Sequence, residues 1–407
     1  MYYDQYKNPA GLVSMGAFIR VGSIDETVEE KGYSHFLEHM LFSGIQDYPT
    51  TIELSQRLTE LGCEFNAHTG YEYTAYHITC HKEYFNQVYE IFQEMLERPV
   101  FNEKDLEREK KVVCQEIELS ENKSVLYKAH KKLLSMIYGK PALKKEFNIL
   151  GSKKGIQSAQ RKNIVDFWKK WYTKPAHKLI VISGDIEETL AEQKKGFFKK
   201  RDLCKMPRIA HGPKTAKTYH NNLGSSYIYY GFYTGDIENE VKKTIILELL
   251  LKYLCQSFNS LIGKSLRVDS GLSYSIKCLG SNSFFSYLSS GFGYKGFVVS
   301  ISHDKINIGD EKVKTVIDDI CTNGINKENL ENIKKLFLIG FNSLMQTTLS
   351  RMFYFGTMAM KYTIEPTAPD IIKITKSITT QEFNELVCKV MSPDRRYCVI
   401  VTQKIKS

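Results

Sequence analysis

The sequence predicts an α+β fold built from two homologous domains, and three observations carry that reading. Strand-like and helix-like segments alternate through the first half of the 407 residues, a length that suits two to three domains of roughly 150 residues. Two segments of that half recur, in the same order, in the second. Between the halves lies RDLCKMPRIAHGPKTA (201–216), which holds two prolines, a glycine and five basic residues and no sustained period. The expected division is a first domain at 1–200, a linker at 201–216 and a second domain at 217–407.

Taken in order, GAFIRVGS (16–23) reads as a strand, and helical periodicity follows at about 33–43 and 52–61. CEFNAHTGYEYTAYHITC (63–80) holds two β-rich runs around Thr69-Gly70, a hairpin pattern. Long helices are predicted at about 84–97 and 103–135, and HKLIVISGD (177–185) reads as a buried strand. The stretch at 102–119 then aligns with 326–344 at an offset of 224, so that Asn102, Leu106, Glu107, Lys110 and Lys111 meet identical residues at Asn326, Leu330, Glu331, Lys334 and Lys335. KPAHKLIVI (174–182) aligns with SPDRRYCVI (392–400) at an offset of 218. Two matches at similar offsets point to duplicated domains of about 200 residues.

Composition narrows the function. With 42% hydrophobic and 25% charged residues the chain can bury sizeable cores, which excludes a disordered or collagen-like chain. The net charge of +10 is spread over scattered lysine pairs rather than a basic stripe with interleaved aromatics, so nucleic acid is not an expected partner. No apolar run approaches the ~20 residues of a membrane span, the longest candidates being stretches such as LELLLKYL (248–255), and the N-terminus does not read as a signal peptide. Nine cysteines without a C-x-x-C pair read as reduced thiols, and the expected location is cytoplasmic.

The sharpest motif is His35-Phe36-Leu37-Glu38-His39, an H-x-x-E-H sequence inside a helical pattern. Residues four apart share a helix face, so His35 and His39 can present imidazoles to one cation while Glu38 acts on a metal-activated water. Phe36, Leu37, Met40, Leu41 and Phe42 supply a dry wall. The plain alternative is two core histidines that fall four apart by chance, roughly a one-or-two-in-a-hundred event for ten histidines in this chain. A catalytic zinc needs a third protein ligand. On the predicted helix at 103–135, Glu109 and Glu116 are two turns apart; Glu116 lies within the apolar run VVCQEIEL, where an unpaired carboxylate is costly to bury. Either acid is equally readable as an exposed group on an amphipathic helix. Their counterparts at the 224 offset are Ile333 and Gly340, and the second half has no H-x-x-E-H, so one copy is equipped and the other stripped.

With these residues in place, the sequence resembles the pitrilysin/insulinase family of zinc metallopeptidases, which includes the mitochondrial processing peptidase. That family pairs H-x-x-E-H with a distal glutamate, and Glu116 follows His39 by 77 residues, with Glu109 seven before it. FNAHTGYEYTAY (65–76) resembles the family's edge strand, where Asn66 and Ala67 match positions contacting substrate backbone. SLRVDSGLSYSI (265–276) resembles its arginine–tyrosine element through Arg267 and Tyr274, seven apart. The resemblance runs from about 11 to 403 and departs at the N-terminus, where part of the usual first strand looks clipped. It implies Zn2+ held by His35, His39 and Glu116, with manganese or cobalt tolerated by the same ligands. It implies Glu109 behind a ligand, Glu38 as general base, and Arg267 and Tyr274 on the substrate or developing oxyanion. It implies domains each made of a mostly antiparallel sheet covered by helices, as in the processing peptidase. The implied activity is a zinc endopeptidase acting on short or unfolded peptides, such as a precursor or leader peptide, in a clamshell completed by a homodimer or a related subunit. The alternative is a non-catalytic assembly or peptide-holding subunit. His68 and His77, inside the strand segment, read as wall or surface residues rather than ligands.

Overall fold

The computed structural model describes residues 1–123, 125–138, 148–186, 214–235, 237–238, 240–256, 259–279, 293–362 and 367–403. These fall into two compact units. The first unit carries a five-stranded sheet in the order β1-β5-β2-β4-β3, from β1 (Tyr2–Gln5), β2 (Leu12–Ile19), β3 (Glu64–Thr69), β4 (Thr74–His81) and β5 (Lys178–Gly184). All neighbours are antiparallel except β1, which runs parallel to β5. Its helices are α1 (Tyr33–Met40), α2 (Thr51–Glu60), α3 (Phe85–Glu97) and α4 (Glu103–Lys123), followed after α5 (Val125–Tyr138) by α6 (Lys153–Ser158) and α7 (Arg161–Trp171).

Strand β2 begins at Leu12, earlier than the predicted 16–23, and the reason is packing on both faces. Val13, Met15, Ala17 and Ile19 point into the core that α1 and α3 cover. On the other side Phe18 meets Phe353 edge-on at 6.0 Å. A strand buried on both faces loses the polar–apolar alternation that marks a half-exposed one. The sheet edge is occupied by β1, which pairs with β5, and Asp4 accepts hydrogen bonds from Ser183 Oγ at 2.6 Å and from Arg351 Nε and Nη2, each at 2.6 Å.

The second unit repeats the plan. Its sheet, β6-β10-β7-β9-β8, is built from β6 (Thr215–His220), β7 (Ser226–Tyr233), β8 (Ser273–Leu279), β9 (Tyr294–Ile301) and β10 (Arg396–Gln403), with β6 again parallel to the last strand. The helices of this half of the chain are α8 (Val241–Leu251), α9 (Ile306–Asn323), α10 (Lys327–Leu344), α12 (Ala368–Ser377) and α13 (Thr380–Met391), with α11 (Thr348–Lys361) between α10 and α12 in sequence but in the first unit. The 224 offset superimposes α4 on α10 and the 218 offset β5 on β10, so the sequence repeat is a structural one.

The units are not contiguous halves. Segment 344–365, with α11, belongs to the first unit, where α11 packs on β2 and β5; segment 123–143, with α5, belongs to the second, where α5 packs on β10 and β7. Leu133 of α5 lies against Gly231, where a Cβ would come within 3.0 Å of it. Each half thus lends the helix after its long helix to the other half's sheet. The expected linker lies outside the described residues up to 213, and its last two residues, Thr215 and Ala216, already begin β6.

Two further expectations are corrected. The stretch 241–268 does have the length and composition to cross a membrane, but 69% of its apolar window is buried inside the protein; within it Thr244–Leu251 of α8 are buried, as in a core helix. Not all described cysteines are reduced: Cys255 and Cys278 form a disulfide with Cα atoms 6.2 Å apart, while Cys63, Cys80, Cys114, Cys321, Cys388 and Cys398 are free thiols.

Candidate metal centre

Helix α1 is eight residues long, and its orientation is set by what it buries. Phe36, Leu37, Met40 and Leu41 are fully buried in the first unit's core, which leaves His35 and His39 facing the carboxylates of α4 and Glu38 against Thr69 of β3. The helix starts at Gly32 with φ of 91° and no side-chain cap of its own. Glu26 takes that role from six residues upstream. Its buried carboxylate accepts from Gly32 N at 2.8 Å and from Ser34 N at 2.7 Å, satisfying amides that a helix start leaves open. Burial pushes Glu26 up to about 7, against the pull of those two hydrogen bonds.

Helix α4 buries Leu106, Val113 and Ile117 and carries Glu109 and Glu116 beside that stripe. Glu116 Oε2 lies 3.5 Å from His35 Nε2 and 3.9 Å from His39 Nε2. One donor atom from each of His35, His39 and Glu116 falls within 4.8 Å of the others, the one such group among the described residues. The two rings stand edge to face, centroids 4.8 Å apart. Glu116 is not, however, a lone acid sunk in apolar surroundings. Its side chain is 40% exposed, and Val112 and Leu119 of the same run face outward. The two imidazoles, not burial, are what single it out.

Glu109 stands behind His39: its Oε2 is 3.1 Å from His39 Nδ1. A proton on Nδ1 shared with Glu109 leaves the Nε2 lone pair facing Glu116, the arrangement that prepares a histidine for a metal. In the metal-free site burial, then the neighbouring His39, pushes His35 down to about 3. Burial acts on His39 in the same sense but is outweighed by the Glu109 hydrogen bond and the Glu116, Glu38 and Glu109 carboxylates, which hold it above its ordinary value. Burial raises the Glu38 carboxyl, with Thr69 and His39 opposing. Glu109 is lowered: burial is overcome by its hydrogen bonds to His39 and Arg108.

These residues fit zinc. A tetrahedral ion with bonds of about 2.0–2.1 Å holds its ligand atoms about 3.3 Å apart, close to the 3.5 and 3.9 Å from Glu116 to the two rings, and two imidazoles with one carboxylate is a donor set of catalytic zinc sites that leave a position open. Nδ1 of His35 is buried without a hydrogen bond among the described residues, so the ring's capacity is directed through Nε2.

Asn66 and Ala67 lie on β3, the outer strand of the first sheet, where Ala67 N donates to Asn66 Oδ1 at 2.8 Å. His68 and His77 pack against Phe353 of α11, at 5.8 and 5.0 Å between centroids, and burial pushes them down to about 3 and about 4. Arg267 and Tyr274 belong to the second unit, Arg267 half-buried in the helical turn Lys264–Val268 and Tyr274 in β8 at the irregularity between Ser273 and Ser275. Sequence reasoning missed Glu26 and Thr69, whose hydroxyl donates to Glu38 Oε2 at 2.5 Å. Neither has a spacing that announces it, because both act across loops.

A duplicated α+β scaffold bearing H-x-x-E-H and a distal glutamate that closes on both histidines defines a zinc-protease-like protein. The chain belongs to the insulinase family, peptidase family M16. The family model described as insulinase (peptidase family M16) matches residues 4–147, and that of the peptidase M16 inactive domain matches 158–337. An uncharacterized zinc protease of Bacillus subtilis is 25% identical over 394 residues, covering 95% of this chain and 92% of its own. The mitochondrial-processing peptidase subunit beta of Dictyostelium discoideum is 27% identical over 217 residues, 53% of this chain and 44% of its own. Among solved structures, a protease from Helicobacter pylori has the same fold with a TM-score of 0.80 at 17% identity, covering 98% of this chain and 96% of its own.

Proposed function

We propose that this protein is a zinc-dependent endopeptidase that hydrolyses short or unfolded peptides, such as a precursor or leader peptide. The observation that carries this reading is the convergence of His35, His39 and Glu116 with Glu38 beside them. When bound, zinc supplies Lewis-acid polarisation of the peptide carbonyl and acidifies a water. His35, His39 and Glu116 hold the ion, and Glu109 fixes the His39 ring. Glu38 takes a proton from the attacking water and returns it to the leaving amine. The free edge of β3 at Asn66 and Ala67 receives the peptide as an added strand, so backbone pairing gives affinity without strict sequence reading. Arg267 and Tyr274 are assigned, from the family resemblance, to the substrate and the developing oxyanion. We take the working form to be a dimer, with a second copy or a related subunit.

Metal analysis tests the ligand set. Wild type and Glu38→Gln should both retain a single zinc per chain after gel filtration, and Glu116→Ala should lose it. A Glu116→Ala variant with wild-type zinc content removes Glu116 from the site. A wild type that takes up no zinc turns the reading to a non-catalytic assembly or peptide-holding subunit.

A further inference from the structure

Strand β3 has two faces, and its side chains alternate between them. Phe65 stacks near Phe42 beside α1 at 5.7 Å, and Thr69, two turns of the alternation later, reaches α1 itself. His68, in between, faces Phe353 instead. Thr69 is 5% exposed. Its single hydroxyl proton has two acceptors in range, Glu38 Oε2 at 2.5 Å and Ser34 O at 3.4 Å, and the shorter contact takes it. The strand end is itself pinned: Thr69 pairs with Thr74, whose Oγ1 donates to Val21 O at 2.9 Å, and Gly70 N donates to Tyr73 O at 2.8 Å.

We infer that Thr69 is a positioning residue, whose hydroxyl holds the Glu38 carboxylate and ties it to the strand on which a peptide docks. This rests on the peptidase reading above. A neutral hydroxyl donating to a carboxylate leaves the second oxygen, Oε1, free to face a water. The same strand that sets the register of an added peptide through Asn66 and Ala67 then sets the place of the base, so scissile bond and base share one frame. Because Thr69 meets Glu38 rather than substrate, its loss acts on turnover and leaves peptide binding intact.

The test compares zinc-loaded wild type with Thr69→Val, Thr69→Ser and Glu38→Gln on one cleaved peptide, and adds crystal structures of the zinc-loaded wild type and both Thr69 variants. Thr69→Val should lower kcat about tenfold to a hundredfold, the worth of one hydrogen bond to a charged group, with KM within about twofold and zinc content unchanged. Thr69→Ser should recover kcat to within about threefold of wild type. In the crystals Glu38 should be turned from its wild-type rotamer in Thr69→Val and restored in Thr69→Ser. Wild-type kcat in Thr69→Val, an unmoved Glu38, or a Ser variant as poor as Val overturns the inference. Wild type that cleaves nothing, or Glu38→Gln that cleaves like wild type, overturns the peptidase reading instead, and the Glu38 rotamers still decide the role of Thr69.

Discussion

His39 Nδ1 and Glu109 Oε2 lie 3.1 Å apart, and this contact makes the two histidines of the motif chemically unequal. The Nδ1 of one imidazole leans on a carboxylate; that of the other is buried without a hydrogen bond among the described residues. Removing the carboxylate frees the His39 tautomer and ring orientation. Glu109→Gln should therefore weaken zinc binding by about tenfold to a hundredfold while leaving the fold intact, read by competition against a fluorescent chelator. Wild-type affinity in that variant would show that Glu109 does not support the ligand.

The same inequality predicts how zinc affinity responds to acid. A protonated imidazole cannot ligate. His35, pushed down to about 3 by burial, stays neutral across the useful range, whereas His39 is raised above 6.5 and takes a proton as pH falls through that raised value. Between pH 8 and pH 5 the apparent Kd should rise with a limiting slope of about one decade per pH unit, the signature of a single competing proton. A slope of two decades would mean that both histidines are protonated in the metal-free site.

Glu26 carries a separate pH effect. Its folded-state value of about 7 lies above the 4.5 of the unfolded chain, so its favourable contribution is present in full below 4.5 and is lost as pH rises through 7. The difference amounts to roughly 3 kcal/mol. Urea unfolding of the metal-free protein should show wild type losing about that much stability, relative to Glu26→Gln, between pH 4.5 and pH 8. Parallel pH profiles for the two proteins would remove Glu26 as the titrating cap of α1.

The exchanged helix α11 is fastened by a partly buried ion pair. Arg351 Nε and Nη2 each lie 2.6 Å from the Asp4 carboxylate, whose residue is 8% exposed. Arg351→Ala leaves that acid buried with only Ser183 to satisfy it and should destabilise the first unit by about 3 kcal/mol. Chemical denaturation measures it; a change below about 0.5 kcal/mol would mean that water replaces the guanidinium at little cost.

Much of the site is legible in the sequence because its parts obey local periodicities. His35 and His39 share a face through helical spacing, Glu109 and Glu116 through two turns, and the hairpin at 64–81 through its turn residues. The repeat also foretells two sheets of one topology. What the sequence hides is long-range choice. Nothing in residues 103–135 breaks the helical pattern, so one predicted helix covers what are α4 and α5, and nothing local tells α5 and α11 to cover the opposite half's sheet. The apolar run around Glu116 does not bury it, since half of its apolar neighbours face outward. Glu26 and Thr69 are invisible for the same reason: a carboxylate capping a helix across a loop, and a hydroxyl reaching from strand to helix, leave no period to read.

The most direct test of the zinc-peptidase assignment is mass-spectrometric analysis of a mixed unfolded-peptide library incubated with wild type and with Glu38→Gln, each with and without a chelator. Cleavage by the wild type should vanish on chelation and return with zinc, while Glu38→Gln should keep its zinc and cut nothing. Cleavage by Glu38→Gln at the wild-type rate, or wild-type cleavage that survives the chelator, would contradict the assignment of Glu38 and the metal to the reaction.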